Sequence, residues 1–167
     1  FNELFLKPAE DGASIDVFRI SCNKDLEDAI ADSVDPRREF ILEESIDFKE
    51  LTVPILSGRC LPAVEIKTSE SFYNFNAKYL NEDTQLTELV LSEDKKNELE
   101  EICLKTLDVM SCSGWLRVDL MQDRKNNFYV LEVNTAPGMT SHSLFPKSAE
   151  SIGLSYNDLV QDIINAK

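Results

Sequence analysis

The sequence predicts an α+β fold, an antiparallel sheet flanked by helices. Two alternating segments, residues 115–121 and 128–134, are separated by a short polar stretch, which is typical of an antiparallel hairpin. A helical pattern follows Ser92, where apolar side chains recur at steps of three and four. The chain has 167 residues, of which 43% are hydrophobic, so it is long and apolar enough for a domain with its own core.

The first 67 residues alternate between strand patterns and one helix pattern. The helix is predicted over residues 24–33, with Asn23 as its cap, and Asp35-Pro36 ends it. Apolar residues cluster or alternate between turn residues in the other stretches. Strands are therefore predicted at residues 4–7, 15–20, 40–44, 51–56 and 60–66.

The remaining elements are a long loop and two helices. Residues 68–89 show no clean period, and a loop of that length in a compact domain is often a functional lid. The helix after Ser92 is expected to bury one face, formed by Leu99, Ile102, Cys103, Thr106, Leu107 and Met110. A terminal helix is predicted after Ser155, because Asp158 completes a capping-box pattern ahead of Leu159, Val160, Ile163 and Ile164.

The charge balance excludes two classes of partner. The formal net charge is −14, and acidic pairs recur along the chain. Such a chain repels phosphate backbones and anionic lipids, so neither nucleic acid nor a membrane is an expected partner. No apolar run approaches the roughly 20 residues of a membrane span. The four cysteines form no C-x-x-C pair, and we expect reduced thiols in a cytoplasmic protein.

The predicted hairpin brings four polar side chains to one face. Side chains alternate along each strand, so Arg117 and Asp119 should face Glu132 and Asn134 at about 5 Å. Two carboxylates and a carboxamide are hard oxygen ligands that suit Mg²⁺, and an arginine beside them suits a developing anion. The alternative is a solvated sheet face on which Arg117 pairs with an acid. The loop at residues 134–146 is rich in small residues and can aim backbone N–H groups at an anion.

Four segments resemble those of D-alanine–D-alanine ligases. The longest match runs from Leu131 to Pro146 and is preceded by residues 114–119. Residues 72–79 resemble the family's active-site loop, 43–53 its adenine and ribose segment, and 7–14 its phosphate loop. The resemblance implies an ATP-grasp fold. It divides the chain into part of the central ATP-binding subdomain, residues 1–46, and the C-terminal catalytic subdomain, residues 47–167.

The resemblance also implies the reaction. ATP would phosphorylate the carboxylate of one D-alanine, and the amine of a second D-alanine would attack the acyl phosphate, giving D-alanyl-D-alanine for peptidoglycan precursor synthesis. The implied cofactors are ATP and two Mg²⁺ ions, with Mn²⁺ as an alternative. The full-length protein is expected to be a homodimer. The chain starts at Phe1 without a methionine, and we expect a C-terminal fragment that is inactive alone.

Site residues follow from the matched positions. The implied metal ligands are Asp119, Glu132 and Asn134. Arg117 would stabilise the tetrahedral intermediate, Gly138 would offer its backbone to the reacting centre, and Tyr79 would help to close the loop. The second D-alanine's carboxylate would be held by Ser143 and Leu144. The implied nucleotide contacts are Lys7, Ser14, Glu43, Glu44, Ile46, Glu50 and Lys78.

The phosphate loop departs from the family pattern. The family usually reads Glu-Gly-Ser-Ser-Val-Gly where this chain has Asp-Gly-Ala-Ser-Ile-Asp at residues 11–16. Ala13 removes a hydroxyl, and Asp16 adds a negative charge that would weaken nucleotide binding if it pointed inward. The single histidine, His142, is interpreted as a structural loop residue in preference to a general base.

Two alternatives stay open. The first is a related ligase that joins D-alanine to D-lactate or D-serine, since specificity lies partly in residues 72–79. The second is a non-catalytic nucleotide-binding module of the same family. The altered phosphate loop favours the module, whereas the complete set of Arg117, Asp119, Glu132 and Asn134 argues against it.

Overall fold

A computed structural model describes residues 3–10, 14–67, 85–140 and 143–166. The described residues fall into two compact units, one ending at Ile46 and the other beginning at Asp47. Both units combine antiparallel strands with helices, so the predicted α+β class is confirmed. None of the described helices is both long and apolar enough to cross a membrane. All four cysteines are free thiols.

The described residues of the first unit form a three-stranded antiparallel sheet with one helix. The strands are β1 (Leu4–Pro8), β2 (Phe18–Ile20) and β3 (Phe40–Glu44), in the order β2-β1-β3. The helix α1 (Asn23–Asp32) contributes Ala29 to a buried cluster with Leu6 and Ile20. Among residues 3–10 and 14–46, this buried cluster lies on one face of the sheet.

Two predicted boundaries in this unit are wrong. The strand predicted from residue 15 begins at Phe18, because Ser14 and Asp16 have φ values of 57° and 55° and this left-handed backbone does not extend into a strand. The helix cap is Cys22, one residue before the predicted Asn23. Asp25 accepts hydrogen bonds from the backbone N–H groups of Ser21 and Cys22, at 2.7 and 3.1 Å, which fixes the start of α1.

The second unit is built on a larger antiparallel sheet. Its strand order is β7-β6-β4-β8-β9, with β5 paired to β4. The strands are β4 (Lys49–Leu56), β5 (Arg59–Cys60), β6 (Val64–Lys67), β7 (Gln85–Glu88), β8 (Trp115–Gln122) and β9 (Phe128–Asn134). The helices are α2 (Glu93–Met110), α3 (Leu144–Ser151) and α4 (Tyr156–Asn165). The strand predicted at 60–66 is split in two, since residues 61–63 leave the ladder.

One face of this sheet carries the main core. Leu51, Val53 and Ile55 alternate along β4 and pack with the buried residues of β8 and α2, which are Leu99, Cys103, Leu107, Leu116, Val118 and Leu120. Met110 is 59% exposed, so the predicted buried face of α2 does not reach its end. Because strand side chains alternate, the polar residues between these positions are directed to the opposite face.

Helix α3 was not predicted, because its first residues belong to the expected loop at 134–146. Ser143 is its N-cap, and Pro146 lies in its first turn, where a missing N–H has no helical partner to lose. Phe145 and Ala149 pack with Leu56 and with Leu159 of α4 in a second buried cluster. The terminal helix begins as predicted, since the Ser155 side chain accepts a hydrogen bond from the backbone N–H of Asp158.

Candidate functional site

Strand pairing brings the four polar residues of the hairpin together. Arg117 lies opposite Asn134, and Asp119 lies opposite Glu132. On its other side, Asp119 lies opposite Thr52 of β4. The predicted pairing is therefore confirmed, and Asp119 sits at the centre of a polar group spread over three neighbouring strands.

The Asp119 carboxylate is buried and fully hydrogen-bonded. Its side chain is 9% exposed. Its Oδ1 accepts from Thr52 Oγ1 at 2.6 Å and from Arg117 Nε at 2.7 Å. Its Oδ2 accepts from Arg117 Nη2 at 2.7 Å and from Asn134 Nδ2 at 2.8 Å. The bidentate guanidinium offsets the charge that burial would otherwise make costly.

Glu132 is placed at the solvent side of the same group. Its side chain is exposed, and its Oε1 accepts from Asn134 Nδ2 at 3.2 Å. The Asn134 carboxamide thus bridges the two carboxylates. Two carboxylates and a carboxamide within hydrogen-bonding reach of one another form a donor set that suits a hard divalent cation.

A β-bulge lies next to this group. The pairing passes from Asp119–Glu132 to Leu120–Val130, so Leu131 is an additional residue on β9. The phase of side-chain alternation changes at that residue. Tyr129 consequently pairs with Met121, and the regular alternation predicted over residues 128–134 is wrong at Leu131. Because of the bulge, the Phe128 side chain packs against the core, while Glu132 still lies beside Asp119.

The loop after β9 is held by contacts within itself and with α4. Ser143 Oγ accepts from the backbone N–H of Thr140 at 3.0 Å. A Cβ added to Gly138 would lie 2.9 Å from Ser143 Oγ, so a side chain at this position would displace the Ser143 hydroxyl. Tyr156 Oη donates to the Met139 carbonyl at 2.9 Å. The Leu144 side chain is 5% exposed, so a ligand would meet this residue through its backbone. Residues 141 and 142, and with them His142, lie outside the described residues.

In the first unit, the structure pairs two of the predicted nucleotide residues. Lys7 Nζ of β1 lies 2.7 Å from Glu43 Oε2 of β3, and the two side chains are 23% and 36% exposed. Glu44 lies opposite Leu4, which packs on the α1 side of the sheet. Glu44 is therefore directed to the other face from Lys7 and Glu43. The structure does not bring these three side chains together.

The other predicted residues are distributed as follows. Glu50 of β4 precedes Thr52 by two positions, so it shares the sheet face of Asp119. Ser14 has left-handed backbone in the turn before β2, and Ile46 is half-buried at the end of the first unit. Lys78 and Tyr79, with the whole predicted loop at 72–79, lie outside the described residues.

Asp16 is turned into the first unit and is neutralised there. Its side chain is 7% exposed and forms an ion pair with Arg38. Its Oδ2 also accepts from the backbone N–H of Val34 at 2.8 Å. Its φ of 55° is a value that aspartate tolerates better than most residues. The Asp16 carboxylate therefore anchors the turn at residues 14–16 to the connection between α1 and β3.

We expect Arg38→Met to lower the free energy of unfolding by about 1–3 kcal/mol, because it leaves the buried Asp16 carboxylate without its cation. Asp16→Gly should cost less, since glycine relieves the positive φ and removes the buried charge. Urea unfolding of Arg38→Met, of Asp16→Gly and of the variant that combines them measures the free energy of unfolding of each. The matched control is Arg37→Met, whose side chain is 88% exposed. An Arg38→Met variant as stable as this control would contradict the anchoring role.

Thr52 is the site residue that sequence analysis missed. Its signal was a hydroxyl at an alternate position of an otherwise apolar strand, between Leu51 and Val53. That signal does not say which side chain the hydroxyl meets. Asp119 lies 67 residues further along the chain, and only sheet pairing brings it to Thr52.

Comparison with known proteins identifies relatives along almost the whole chain. The family model described as D-ala D-ala ligase C-terminus matches residues 3–165. The D-alanine–D-alanine ligase of Haemophilus ducreyi is 40% identical over 161 residues, which are 96% of this chain and 53% of the relative. That of Saccharophagus degradans is 41% identical over 161 residues, or 51% of the relative. The chain thus spans about half the length of the curated relatives it matches.

Solved structures give the same result at the level of the fold. A Bacillus anthracis D-alanine–D-alanine ligase complexed with ATP matches with a TM-score of 0.82 and 29% identity, over 98% of this chain and 51% of that one. The VanG D-Ala:D-Ser ligase from Enterococcus faecalis matches with a TM-score of 0.84 and 27% identity, over 99% of this chain and 49% of that one.

Proposed function

Because this chain belongs to the D-ala D-ala ligase C-terminus family and has the ATP-grasp fold of its solved relatives, we propose that it provides the catalytic part of a D-alanine–D-alanine ligase. The reaction joins two D-alanines to D-alanyl-D-alanine at the expense of ATP. Its product is a peptidoglycan precursor, and its place is the cytoplasm. The observation that carries the proposal is the group of Arg117, Asp119, Glu132 and Asn134, formed by strand pairing on one sheet face.

The chemistry of this group fits acyl phosphate formation. Asp119, Glu132 and the carboxamide oxygen of Asn134 would hold Mg²⁺, for which we propose two ions. The metal supplies positive charge to the oxygens of the transferring phosphoryl group. Arg117 lies 2.7 Å from both Asp119 oxygens, and its guanidinium can exchange this carboxylate for a developing tetrahedral anion. Arg117 and the cations held by the other three residues would then offset the negative charge of both chemical steps.

We propose nucleotide contacts in each subdomain taken by itself, residues 1–46 and residues 47–167. Lys7, Lys78 and the turn at Ser14 would contact phosphates, and Glu43 the adenine amino group. Ile46 would pack on the base, and Glu50 would accept from the ribose hydroxyls. Glu44 is directed to the α1 side, so its contribution to the adenine site would come from its backbone. The Lys7–Glu43 ion pair supports this assignment, because it places both side chains on the same face of the sheet.

The D-alanine sites would be formed by the loop after β9 and by the closing loop. Ser143 and the backbone N–H of Leu144 would hold the carboxylate of the second D-alanine, and Gly138 would present its backbone to the reacting centre. Tyr79 would close the site, which excludes water from the acyl phosphate. The hydrogen bond from the Thr140 backbone N–H to Ser143 Oγ supports this, since it fixes the Ser143 hydroxyl within the loop. We further propose that the whole protein is a homodimer.

The test is D-alanine-dependent ADP release by the intact protein. We expect release with Mg²⁺ and D-alanine alone, accompanied by the dipeptide, and none when EDTA removes the metal. Parallel reactions with D-alanine plus D-serine or D-lactate measure the second-substrate preference, because a D-Ala:D-Ser ligase is among the structural relatives. A faster reaction with D-serine or D-lactate would assign the protein to that related activity. Absence of release with every substrate would contradict the ligase proposal and favour a nucleotide-binding module.

A further inference from the structure

Thr52 is a buried polar residue with one specific partner. It lies on the central strand β4, between β6 and β8, and it is 0% exposed. Its Oγ1 lies 2.6 Å from Asp119 Oδ1, directly across the ladder. A buried hydroxyl without a partner is costly, so this hydrogen bond ties the two residues to each other.

Arg117 donates to both oxygens of Asp119, and each oxygen has one further donor. The further donor of Oδ1 is Thr52, whose short side chain lies in a central strand. Oδ2 is held by the ends of two longer side chains, Arg117 Nη2 and Asn134 Nδ2. Asn134 is the last residue of β9, where the ladder ends. The donors from Arg117 and Asn134 can therefore be exchanged while Oδ1 keeps its hydrogen bond with Thr52.

We propose that Thr52 is a positioning residue for divalent-cation binding: it holds Oδ1 so that Asp119 presents Oδ2 to the cation. This inference rests on the proposed function, because it assumes that Asp119 is a metal ligand. Arg117 and Asn134 donate to Oδ2 and compensate its charge. A cation at Oδ2 would replace these donors, the carboxamide oxygen of Asn134 would then be available as a ligand, and Arg117 would be available to the reacting groups. The Thr52 hydroxyl keeps the carboxylate plane fixed through this exchange.

Loss of the hydroxyl should weaken cation binding. Outer hydrogen-bond partners of metal ligands typically contribute about 10–100-fold to metal affinity. Thr52→Val keeps the shape and burial of the side chain but removes its donor. Thr52→Ser keeps the donor. The pair of variants therefore separates the hydrogen bond from packing.

The experiment measures how ADP binding by the intact protein depends on Mg²⁺. Calorimetric titration with ADP at a series of Mg²⁺ concentrations gives the concentration at which affinity is half-maximal. We expect this concentration to rise about 10–100-fold in Thr52→Val and to stay near the unmodified value in Thr52→Ser. In steady-state assays, the Mg²⁺ requirement for ADP release should rise in the same way, with little change in the KM for D-alanine.

Thr87→Val is the matched control. Thr87 lies on β7 of the same sheet, and its hydroxyl is buried without a hydrogen-bond partner among the described residues. The same substitution there should leave the Mg²⁺ requirement unchanged. If Thr52→Val does not fold, Thr52→Ala removes the hydroxyl without an added apolar branch against Asp119. The Mg²⁺ requirement of Thr52→Ala then tests the positioning role.

The outcomes separate this inference from the proposed function. An unmodified protein that releases ADP with D-alanine, together with a Thr52→Val variant of unchanged Mg²⁺ requirement, overturns the positioning role and leaves the ligase intact. If Thr52→Val needs more Mg²⁺ for ADP binding but the unmodified protein releases no ADP with any substrate, the positioning role is supported and the ligase proposal is overturned. ADP binding that does not depend on Mg²⁺ in the unmodified protein overturns the inference itself.

Discussion

Replacing Glu132 by glutamine should abolish Mg²⁺-dependent nucleotide binding and lower D-alanine-dependent ADP release by about 100-fold or more, because loss of a ligand should exceed the loss of its outer-shell partners. Glutamine keeps the length of the side chain and a carbonyl oxygen for the contact with Asn134, which is 3.2 Å long. Glu132 is exposed and contributes little to the core, so the fold should stay intact. The substitution thus removes a single negative charge beside Asp119.

The measurement is calorimetric titration with ADP, with and without Mg²⁺, and steady-state ADP release. The matched control is Glu88→Gln, which makes the same change at an exposed position of β7 in the same sheet. We expect the control to bind and turn over as the unmodified protein does. Unchanged Mg²⁺-dependent affinity in Glu132→Gln would remove Glu132 from the metal site.

Replacing Arg117 by methionine should lower the free energy of unfolding by about 3 kcal/mol, at the lower end of the range for breaking a buried ion pair. The guanidinium supplies two of the four hydrogen bonds to Asp119, whose side chain is 9% exposed. Thr52 and Asn134 still donate in the variant, which limits the loss. ADP release should also fall by about 100-fold, the typical effect of removing a group that stabilises a developing anion.

Two further variants decide whether the loss comes from the unpaired carboxylate. Arg117→Met combined with Asp119→Leu removes both charges, and it should be more stable than Arg117→Met alone. Arg124→Met is the matched control, since Arg124 pairs with Asp47 at 3.0 Å and both side chains are at least 70% exposed. Urea unfolding measures all three. Equal stability of Arg117→Met and Arg124→Met would show that the buried pair does not stabilise the fold.

Short-range patterns in the sequence predicted the parts of the site that lie on one hairpin. Alternation along β8 and β9 placed Arg117 and Asp119 on the face of Glu132 and Asn134, and the registers confirm this. The same reasoning missed the bulge at Leu131, because an additional residue in a strand leaves no mark in a two-residue period. It therefore predicted regular alternation through Leu131, although it paired the carboxylates correctly.

The first residues and caps of helices were predicted where the signal lies within a few residues. Ser155 caps the terminal helix as expected, since its partner Asp158 is three residues away. The start of α3 at Leu144 was missed, because small and turn-forming residues in the preceding loop gave no helical period and Pro146 suggested a break. Burial of Phe145 against Leu56 and Leu159 stabilises this helix, and these residues are distant in sequence.

The sequence by itself determined the family, the α+β class and the face shared by Arg117, Asp119, Glu132 and Asn134, because those depend on local periodicity and on motifs read residue by residue. Only the tertiary structure decided which partners bind the carboxylates of Asp119 and Asp16. Asp119 receives a donor from Thr52 across 67 residues, and Asp16 pairs with Arg38 across 22. The physical reason is that the environment of a buried carboxylate depends on which strands and connections pack beside it. Such contacts are set by the folded chain and carry no local period.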